Sequence, residues 1–363
     1  MNTHYDMILV GAGLFNAVLA YRFKQLGKTI LVLEKRDHIA GNCFTERVDN
    51  IDIHKYGAHI FHTSNEEVWK FVNQFTEFNN FINSPIANYK GELYNLPFNM
   101  NTFYQLYGAR TPEEAKKAVI DDMSPAAKLQ PPTNLEEQAL QMVGKTLFNK
   151  LIKEYTEKQW GRKCSELPPE IIKRLPLRYT FDNNYFNDKY QGIPVEGYTK
   201  MIEKMFEGCD ILLKTDYLKD KEKWNAMADK VYYSGCIDEY YDYCFGELEY
   251  RSVKFEMEQY NTEDYQGNAV VNYTSHKEPY TRIIEHKHFN NLGSDTTIIS
   301  KEYSDEWKRG MVPYYSVNNQ KNNELYEKYK SIPNEKVCFV GRLGMYKYFD
   351  MDDTIEQALS INV

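Results

Sequence analysis

The segment YDMILVGAGLFNAVLAYRFKQLGKTILVLEKR, residues 5–36, leaves little freedom in how this chain can begin to fold. A short apolar run, Met7 to Val10, meets Gly11-Ala12-Gly13. Leu14, Val18, Leu19 and Phe23 then recur at helical spacing until Gly27, and a second apolar run, Ile30 to Leu33, stops at Glu34. The pattern is a βαβ unit carrying a dinucleotide fingerprint. Gly11 permits the tight turn, and Gly13 lets the backbone approach a pyrophosphate. The helix that starts at Leu14 directs free N–H groups and the positive end of its dipole at that anion. Glu34 stands where a carboxylate accepts from a ribose hydroxyl. The third glycine position holds Asn16, so either helix and strand pack less closely there or the amide contacts the ligand.

Composition removes several function classes. At 363 residues the chain has room for about two or three domains. Its net charge of −8 argues against nucleic acid or an acidic membrane surface as main partner, since both reward a basic excess. No apolar run approaches the roughly 20 residues of a membrane span, and nothing resembles a signal peptide. Six scattered cysteines, with no CxxC pair, read as reduced and mostly buried thiols, so a soluble cytoplasmic protein is expected. His59 and His62 flank an apolar pair in YGAHIFHT, but Gly57 and the short alternation place them on a strand or loop. With no further ligand cluster, no metal is expected. His59 instead reads as a cofactor neighbour or as a hydrogen-bonded core histidine. The 30 tyrosines, against 19 phenylalanines and four tryptophans, fit either a lineage preference or a site that grips a nucleotide or sugar.

Two features favour FAD over NAD as the dinucleotide. Gly41-Asn42 follows Glu34 where many FAD-binding Rossmann proteins carry Gly-Gly. Far downstream, KVCFVGR followed by DDTIEQAL has the form of a last strand, a polar turn and a helix that closes over the flavin. Between these lie a helical stretch and a region of period two. TPEEAKKAVI opens with Thr111-Pro112, and a long pattern from Asn134 puts Leu135, Ala139, Val143, Leu147 and Leu151 on one face. That helix ends at Tyr155, Thr156, Gln159 and Trp160. Residues 161–186, broken by Pro168, Pro169 and Pro176, have few apolar anchors and read as a mobile loop. Arg174 and Arg178 could reach a phosphate from it, or be solvated. From about residue 246 the chain alternates as antiparallel strands, with NAVVNYT and YTRIIEHK flanking the turn at HKEP. Arg251 and Arg282, if inward, need an anionic partner. VPYY brings Tyr314 and Tyr315 back toward the last strand.

Taken together, VGAGLFNAV, EKRDHIAGN, HKYGAHIFHT, YTEKQWG, NAVVNYT, YTRIIEHK, VPYY and GRLGMYKYFDMDDTI resemble the bacterial UDP-galactopyranose mutases nearly end to end. The resemblance implies an α/β plus α+β fold built from discontinuous segments. Residues 1–80, 195–245 and 312–363 would form an FAD-binding Rossmann-type domain, and 100–175 a helical-bundle insert with the mobile loop near its end. Residues 81–99, 176–194 and 246–311 would form a twisted antiparallel sheet domain, and the molecule a homodimer. The implied activity is interconversion of UDP-galactopyranose and UDP-galactofuranose for cell-envelope glycans. It is a ring contraction without net redox change, through a covalent adduct on N5 of reduced FAD, which an external reductant must supply. The resemblance assigns Arg174 and Arg282 to the diphosphate. Tyr155, Thr156, Trp160 and Tyr185 go to uridine and sugar, and Asn268, Tyr314, Tyr348 and Asp350 to the sugar and phosphate pocket. Gly11, Gly13, Glu34, Asn42, His59 and Arg342 would surround FAD, while Tyr346 and Asp353 would pack and cap. One departure concerns the uracil-stacking aromatics of the family, whose place is taken here by Leu151 and Ile152. The readings to be weighed against this one are an FAD oxidoreductase of the amine-oxidase type and a non-catalytic flavin- or nucleotide-sugar-binding protein.

Overall fold

Five short apolar strands make a parallel sheet in the order Val337–Phe339, Ala228–Tyr233, Tyr5–Val10, Ile30–Leu33, Asp210–Leu212. The computed structural model describes residues 4–123, 131–173 and 175–362. Parallel strands need long crossovers, which is why neighbours in this sheet come from distant parts of the chain. The helix Leu14–Gln25 is buried nearly all round, with Phe15, Asn16, Ala17 and Ala20 inaccessible as well as the four expected positions. It is covered by helix Tyr198–Met205 on one side and helix Met351–Ser360 on another. The Arg22 guanidinium donates to Ala358 O at 2.8 Å and Ile361 O at 2.7 Å, capping that last helix.

A second sheet has seven strands, ordered Tyr315–Ser316, Tyr250–Tyr260, Thr297–Glu306, Arg282–Glu285, Val270–Tyr273, Ile86–Tyr89, Glu92–Asn95. All its pairs are antiparallel except Val270–Tyr273 with Ile86–Tyr89, which run parallel. Four helices form a third group: Met100–Tyr107, Pro112–Asp122, Leu135–Leu147 and Lys153–Trp160. Thr111 and Asn134 cap two of them as their positions predict, accepting from Glu114 N at 3.2 Å and Glu137 N at 3.0 Å.

The single long helix read from Asn134 to Trp160 is in fact broken. Gly144 adopts φ +78°, and five residues, Phe148–Ile152, form a wider turn before the helix resumes. Asp122 holds the break, accepting from Thr146 N at 2.6 Å and Thr146 Oγ1 at 2.8 Å. The stripe from Leu135 to Leu151 is still fully buried, because the break reorients the last turns without exposing the apolar face. The proline-broken segment after it is better anchored than its sequence indicates. Leu167 and Ile172 are buried in the helical core, and Leu167 O accepts from Leu135 N at 2.8 Å.

Three histidines, His54 and His286 buried and His59 partly so, are linked through the backbone. His59 N donates to His54 Nδ1 and His54 N to His286 Nδ1, each at 3.2 Å, and His286 Nε2 lies 2.6 Å from Ser300 Oγ. A ring nitrogen that accepts from an amide cannot carry a proton, so His54 and His286 are neutral. Burial pushes His286 down to about 3, His59 to about 4, and His54 well below its usual value. In the unfolded chain all three protonate near 6.5. Stability is therefore complete above that pH and falls as pH drops toward 4, by about 1.4 kcal/mol per unit for each histidine. Calorimetric melts should show a flat Tm above about pH 7 and a steep decline below 6.5, which His286→Gln makes shallower. A Tm level from pH 7 to 4 would refute the neutral assignment.

Candidate active site

Every loop that could hold a dinucleotide leaves the parallel sheet from the same edge, since Gly11, Glu34, Ser234 and Gly341 follow the C-terminal ends of their strands. They open into a cavity of about 1840 Å³ that continues to the seven-stranded sheet and to the end of helix Lys153–Trp160. Pockets for single small ligands occupy roughly 300–1,000 Å³, so this cavity has room for a dinucleotide and a second nucleotide together.

The dinucleotide end is built from backbone. Gly11 has φ +94°, and a Cβ there would overlap Ser234 Oγ. Gly13 and Gly41 nearly touch, a Cβ on Gly41 lying 3.1 Å from Gly13 Cα, whereas a Cβ on Gly13 would meet nothing within 4 Å. That open space at an uncapped helix start is what a pyrophosphate requires. Glu34 is buried and accepts from Ala12 N and Arg36 N, both at 2.8 Å, so its carboxylate fixes the glycine turn and keeps spare lone pairs. Asn16 is turned away from any ligand: its Nδ2 donates to Val10 O at 2.9 Å and Gly11 O at 2.8 Å. The amide thus straps the turn from behind, a use not anticipated for the third glycine position. Asn42 Oδ1 accepts from Arg36 Nη2 at 2.9 Å. Arg36 lies over the Tyr56 ring, and its Nη1 is buried without a partner among the described residues. An orphaned guanidinium nitrogen and the open glycine cradle, both on the cavity lining, fit the diphosphate of a dinucleotide such as FAD.

At the centre, His59 Nδ1 lies 2.7 Å from Gly57 O. A carbonyl only accepts, so Nδ1 carries a proton, and burial, which pulls the ring down to about 4, leaves Nε2 bare at neutral pH. Arg342 donates to Tyr314 O and stands between two rings, with its guanidinium carbon 5.7 Å from Tyr315 and 5.5 Å from Tyr348. Tyr348 is half exposed and donates to Asp350 Oδ1 at 3.0 Å. Asp350 is the N-cap of helix Met351–Ser360, one turn earlier than the start expected after Asp352-Asp353, and its N–H is held by Asp353 at 3.2 Å. Met351 and Thr354, from the first turn, lie on the lining. Tyr346 packs as expected, buried with its hydroxyl on Glu249 O at 2.6 Å.

The far end is dominated by Arg282. Its Nε donates to Glu302 Oε2 at 2.7 Å, leaving two Nη groups with no hydrogen-bond partner among the described residues. Burial works against its charge, but the Glu302 carboxylate and the nearby Tyr155 and Tyr315 hydroxyls override this and hold its pKa above the ordinary guanidinium value. Burial also pushes the Tyr155 and Tyr314 hydroxyls up, so both remain donors. Tyr155, Trp160, Tyr185 and Tyr314 share the lining with Arg282.

Two named residues stand apart from it, and a third is not among the described residues. Thr156 is buried and off the lining. Asn268 is also off it, its Nδ2 donating to Ser84 O at 3.0 Å and Val270 O at 3.1 Å before the strand begins. Arg174 lies outside the described residues. Arg178 braces the backbone of Asn184 and Tyr185, and Arg251 donates to Gln159 O at 3.2 Å and Ser304 Oγ at 3.1 Å, closing the helix end. Leu151, Ile152 and Phe148 are all buried in the helical core.

Among the lining residues that were not picked out as site residues from sequence, Asn272, Tyr315, Glu302 and Arg36 bear most on the site's polarity. Asn272 pairs directly with Arg282, and its Oδ1 is buried with no partner among the described residues. Counting outward equally from Lys277 in the turn would have found it.

Residues 150–348 match a family model described as UDP-galactopyranose mutase, and residues 9–75 match one for an NAD(P)-binding Rossmann-like domain. The chain is 41% identical over 361 residues to a probable UDP-galactopyranose mutase of Klebsiella pneumoniae, covering 98% of this chain and 93% of that protein. It is 36% identical over 364 residues to a dTDP-fucopyranose mutase of Escherichia coli, covering 97% and 96%. Among solved structures, a reduced UDP-galactopyranose mutase superposes with a TM-score of 0.74 at 14% identity, covering 98% of this chain and 94% of that one, which is a likeness of fold.

Proposed function

The chain belongs to the UDP-galactopyranose mutase family, and from that membership we propose that it interconverts UDP-galactopyranose and UDP-galactofuranose with its flavin reduced. At the coarser level it is a flavin-dependent pyranose–furanose mutase of a nucleotide sugar. The observation that carries the reading is one cavity with a glycine cradle open to a pyrophosphate at one end and the Nη groups of Arg282, unpartnered among the described residues, at the other. Gly11, Gly13, Glu34, Arg36, Asn42, His59 and Arg342 would hold FAD. When bound and reduced, FAD supplies the nucleophile toward the anomeric carbon.

The protein's part is to bind, orient and neutralise. Arg282 presents a fork whose direction Glu302 fixes, suited to a diphosphate as it gains charge on leaving the sugar. Asn272 Oδ1 offers an unsatisfied acceptor for a sugar hydroxyl, and Tyr155 and Tyr314 offer donors. His59, held neutral, adds no charge beside the flavin. Arg174 is proposed as a second diphosphate contact on the resemblance alone.

Galactose is favoured over fucose by the higher identity to the galactopyranose relative. The test is to incubate dithionite-reduced holoenzyme with UDP-galactofuranose and, in parallel, with dTDP-fucofuranose, and to separate the products by chromatography. Conversion of the uridine sugar, with kcat/KM at least about tenfold higher than for the thymidine sugar, is expected. The opposite preference would transfer the assignment to dTDP-fucose. Conversion of neither, or oxygen consumption with an amine, would reject the mutase reading.

A further inference from the structure

Asn272 and Arg282 pair at the turn end of two four-residue strands, one residue before the first strand stops at Tyr273 and at the start of the second, and the turn, residues 274–281, projects beyond the sheet. So short a hairpin fixes its tip poorly by its own ladder. Here the turn is docked on helix Lys153–Trp160. The Lys158 ammonium lies within hydrogen-bond distance of four backbone carbonyls, which share its three N–H donors: Tyr273 O at 2.6 Å, Ser275 O at 2.8 Å, Glu278 O at 2.9 Å and Tyr280 O at 2.8 Å. Around it, Glu154 Oε2 accepts from His276 N at 2.5 Å, Glu157 Oε2 lies 3.1 Å from His276 Nε2, and Thr274 Oγ1 donates to Lys150 O at 2.7 Å.

Resting on the mutase reading, we propose that Lys158 is a positioning residue that sets the spacing between the two walls gripping the nucleotide sugar. One wall is Tyr155 and Trp160, on the same helix turns as Lys158. The other is Asn272 and Arg282, on the hairpin whose turn Lys158 gathers. Lys158 itself is off the cavity lining, so it acts only through these neighbours. An ammonium suits the task because it is compact and points donors in several directions, which a planar guanidinium cannot do. Without it, four carbonyl dipoles would face one another and push the turn open.

The charge state is consistent with the geometry. Burial pulls the Lys158 ammonium down to about 8, and Glu278 and Glu154 raise it against that pull. The charged and titratable groups around it are Glu154 and Glu157 on its own helix, His276, Lys277 and Glu278 on the turn, and Lys90 across from Glu154 and Glu278. At neutral pH the cradle holds a cation, and above about pH 8 the amine loses its charge and one of its three N–H donors.

Lys158→Ala holoenzyme should retain its flavin and lose kcat/KM for UDP-galactose by about 100-fold, mostly through KM. Methylammonium, which can enter the vacated cradle, should restore KM to within about threefold, while tetramethylammonium, with no N–H, should not. A KM unchanged by the substitution, or a loss that methylammonium leaves untouched, would overturn the proposal. Should Lys158→Ala fail to fold, Lys158→Arg serves. Wild-type KM should rise above about pH 8 and that limb should vanish in Lys158→Arg, whereas an identical limb in both would overturn it. Hydrogen exchange separates this proposal from the mutase reading. Amides of residues 273–281 should lose protection in Lys158→Ala and regain it with methylammonium, whatever substrate the enzyme turns over, and unchanged protection would count against the pin.

Discussion

Arg282→Ala should keep a full complement of flavin and turn over about a thousand times more slowly than the unaltered enzyme, with the loss in kcat. Two effects combine. The substitution removes the two Nη groups on the cavity side, the donors proposed to meet charge developing on a leaving diphosphate. It also strips Glu302, a largely buried carboxylate, of its 2.7 Å partner and leaves a negative charge where the proposed function puts the substrate's phosphates. Single-turnover measurements on reduced enzyme separate the chemical step from binding. Arg282→Lys should recover part of the rate by restoring charge, and it should stay at least about tenfold slow because it lacks the fork that both Glu302 and the diphosphate use. The double variant Arg282→Ala/Glu302→Gln should bind UDP more tightly than Arg282→Ala alone, since the orphaned carboxylate is gone. Turnover of Arg282→Ala within about threefold of normal would remove Arg282 from the catalytic set.

The second large effect is on cofactor retention, and two neighbouring glycines should produce it in different ways. A Cβ on Gly11 overlaps Ser234 Oγ, at a φ of +94° that L-residues avoid. Gly11→Val should therefore deform the turn itself, lowering the Tm of flavin-free protein and leaving it colourless. A Cβ on Gly13 meets no protein atom within 4 Å. Gly13→Ala should leave the Tm of the flavin-free protein within about 2 °C of normal, because nothing in the chain resists the methyl group. It should nonetheless weaken FAD binding by about tenfold or more, because the methyl occupies the space through which a pyrophosphate approaches the backbone. Flavin absorbance after purification and calorimetry of the flavin-free form read the two quantities separately. Normal FAD affinity in Gly13→Ala would show that the cradle is not where the pyrophosphate lies.

What the sequence disclosed and what it hid divide along physical lines. The βαβ unit was legible because turn, helix and both strands are contiguous, so a local pattern carries a local structure. Helix starts at Thr111 and Asn134 were legible for the same reason, and the D-x-x-D of Asp350 and Asp353 contained the cap that was read one turn too late. Gly144 was a visible warning inside an otherwise continuous stripe, but an amphipathic pattern survives a break that keeps its face buried. Asn272 was missed because strand register is set by pairing across the hairpin, and the choice of Asn268 stopped short of where the strand begins. The parallel pairing of Ile86–Tyr89 with Val270–Tyr273 joins segments far apart in the chain, which no local signal marks. Lys158 had no signal at all. A lysine on a solvated helix face and one that gathers four carbonyls look alike until the fold brings those carbonyls to it.

The order of strands in the parallel sheet also governs when the cofactor can be loaded. Gly11 and Gly13 emerge early in synthesis, yet the sheet they top is bordered by Val337–Phe339. The helix behind them is covered by Met351–Ser360 and latched by Arg22, and Arg342 comes from the same late stretch. A nascent chain carrying only the fingerprint has the glycine turn without its walls. Flavin capture is therefore a closing event of biogenesis, and a truncated or stalled product should accumulate as an empty, protease-sensitive species rather than as a partial holoenzyme.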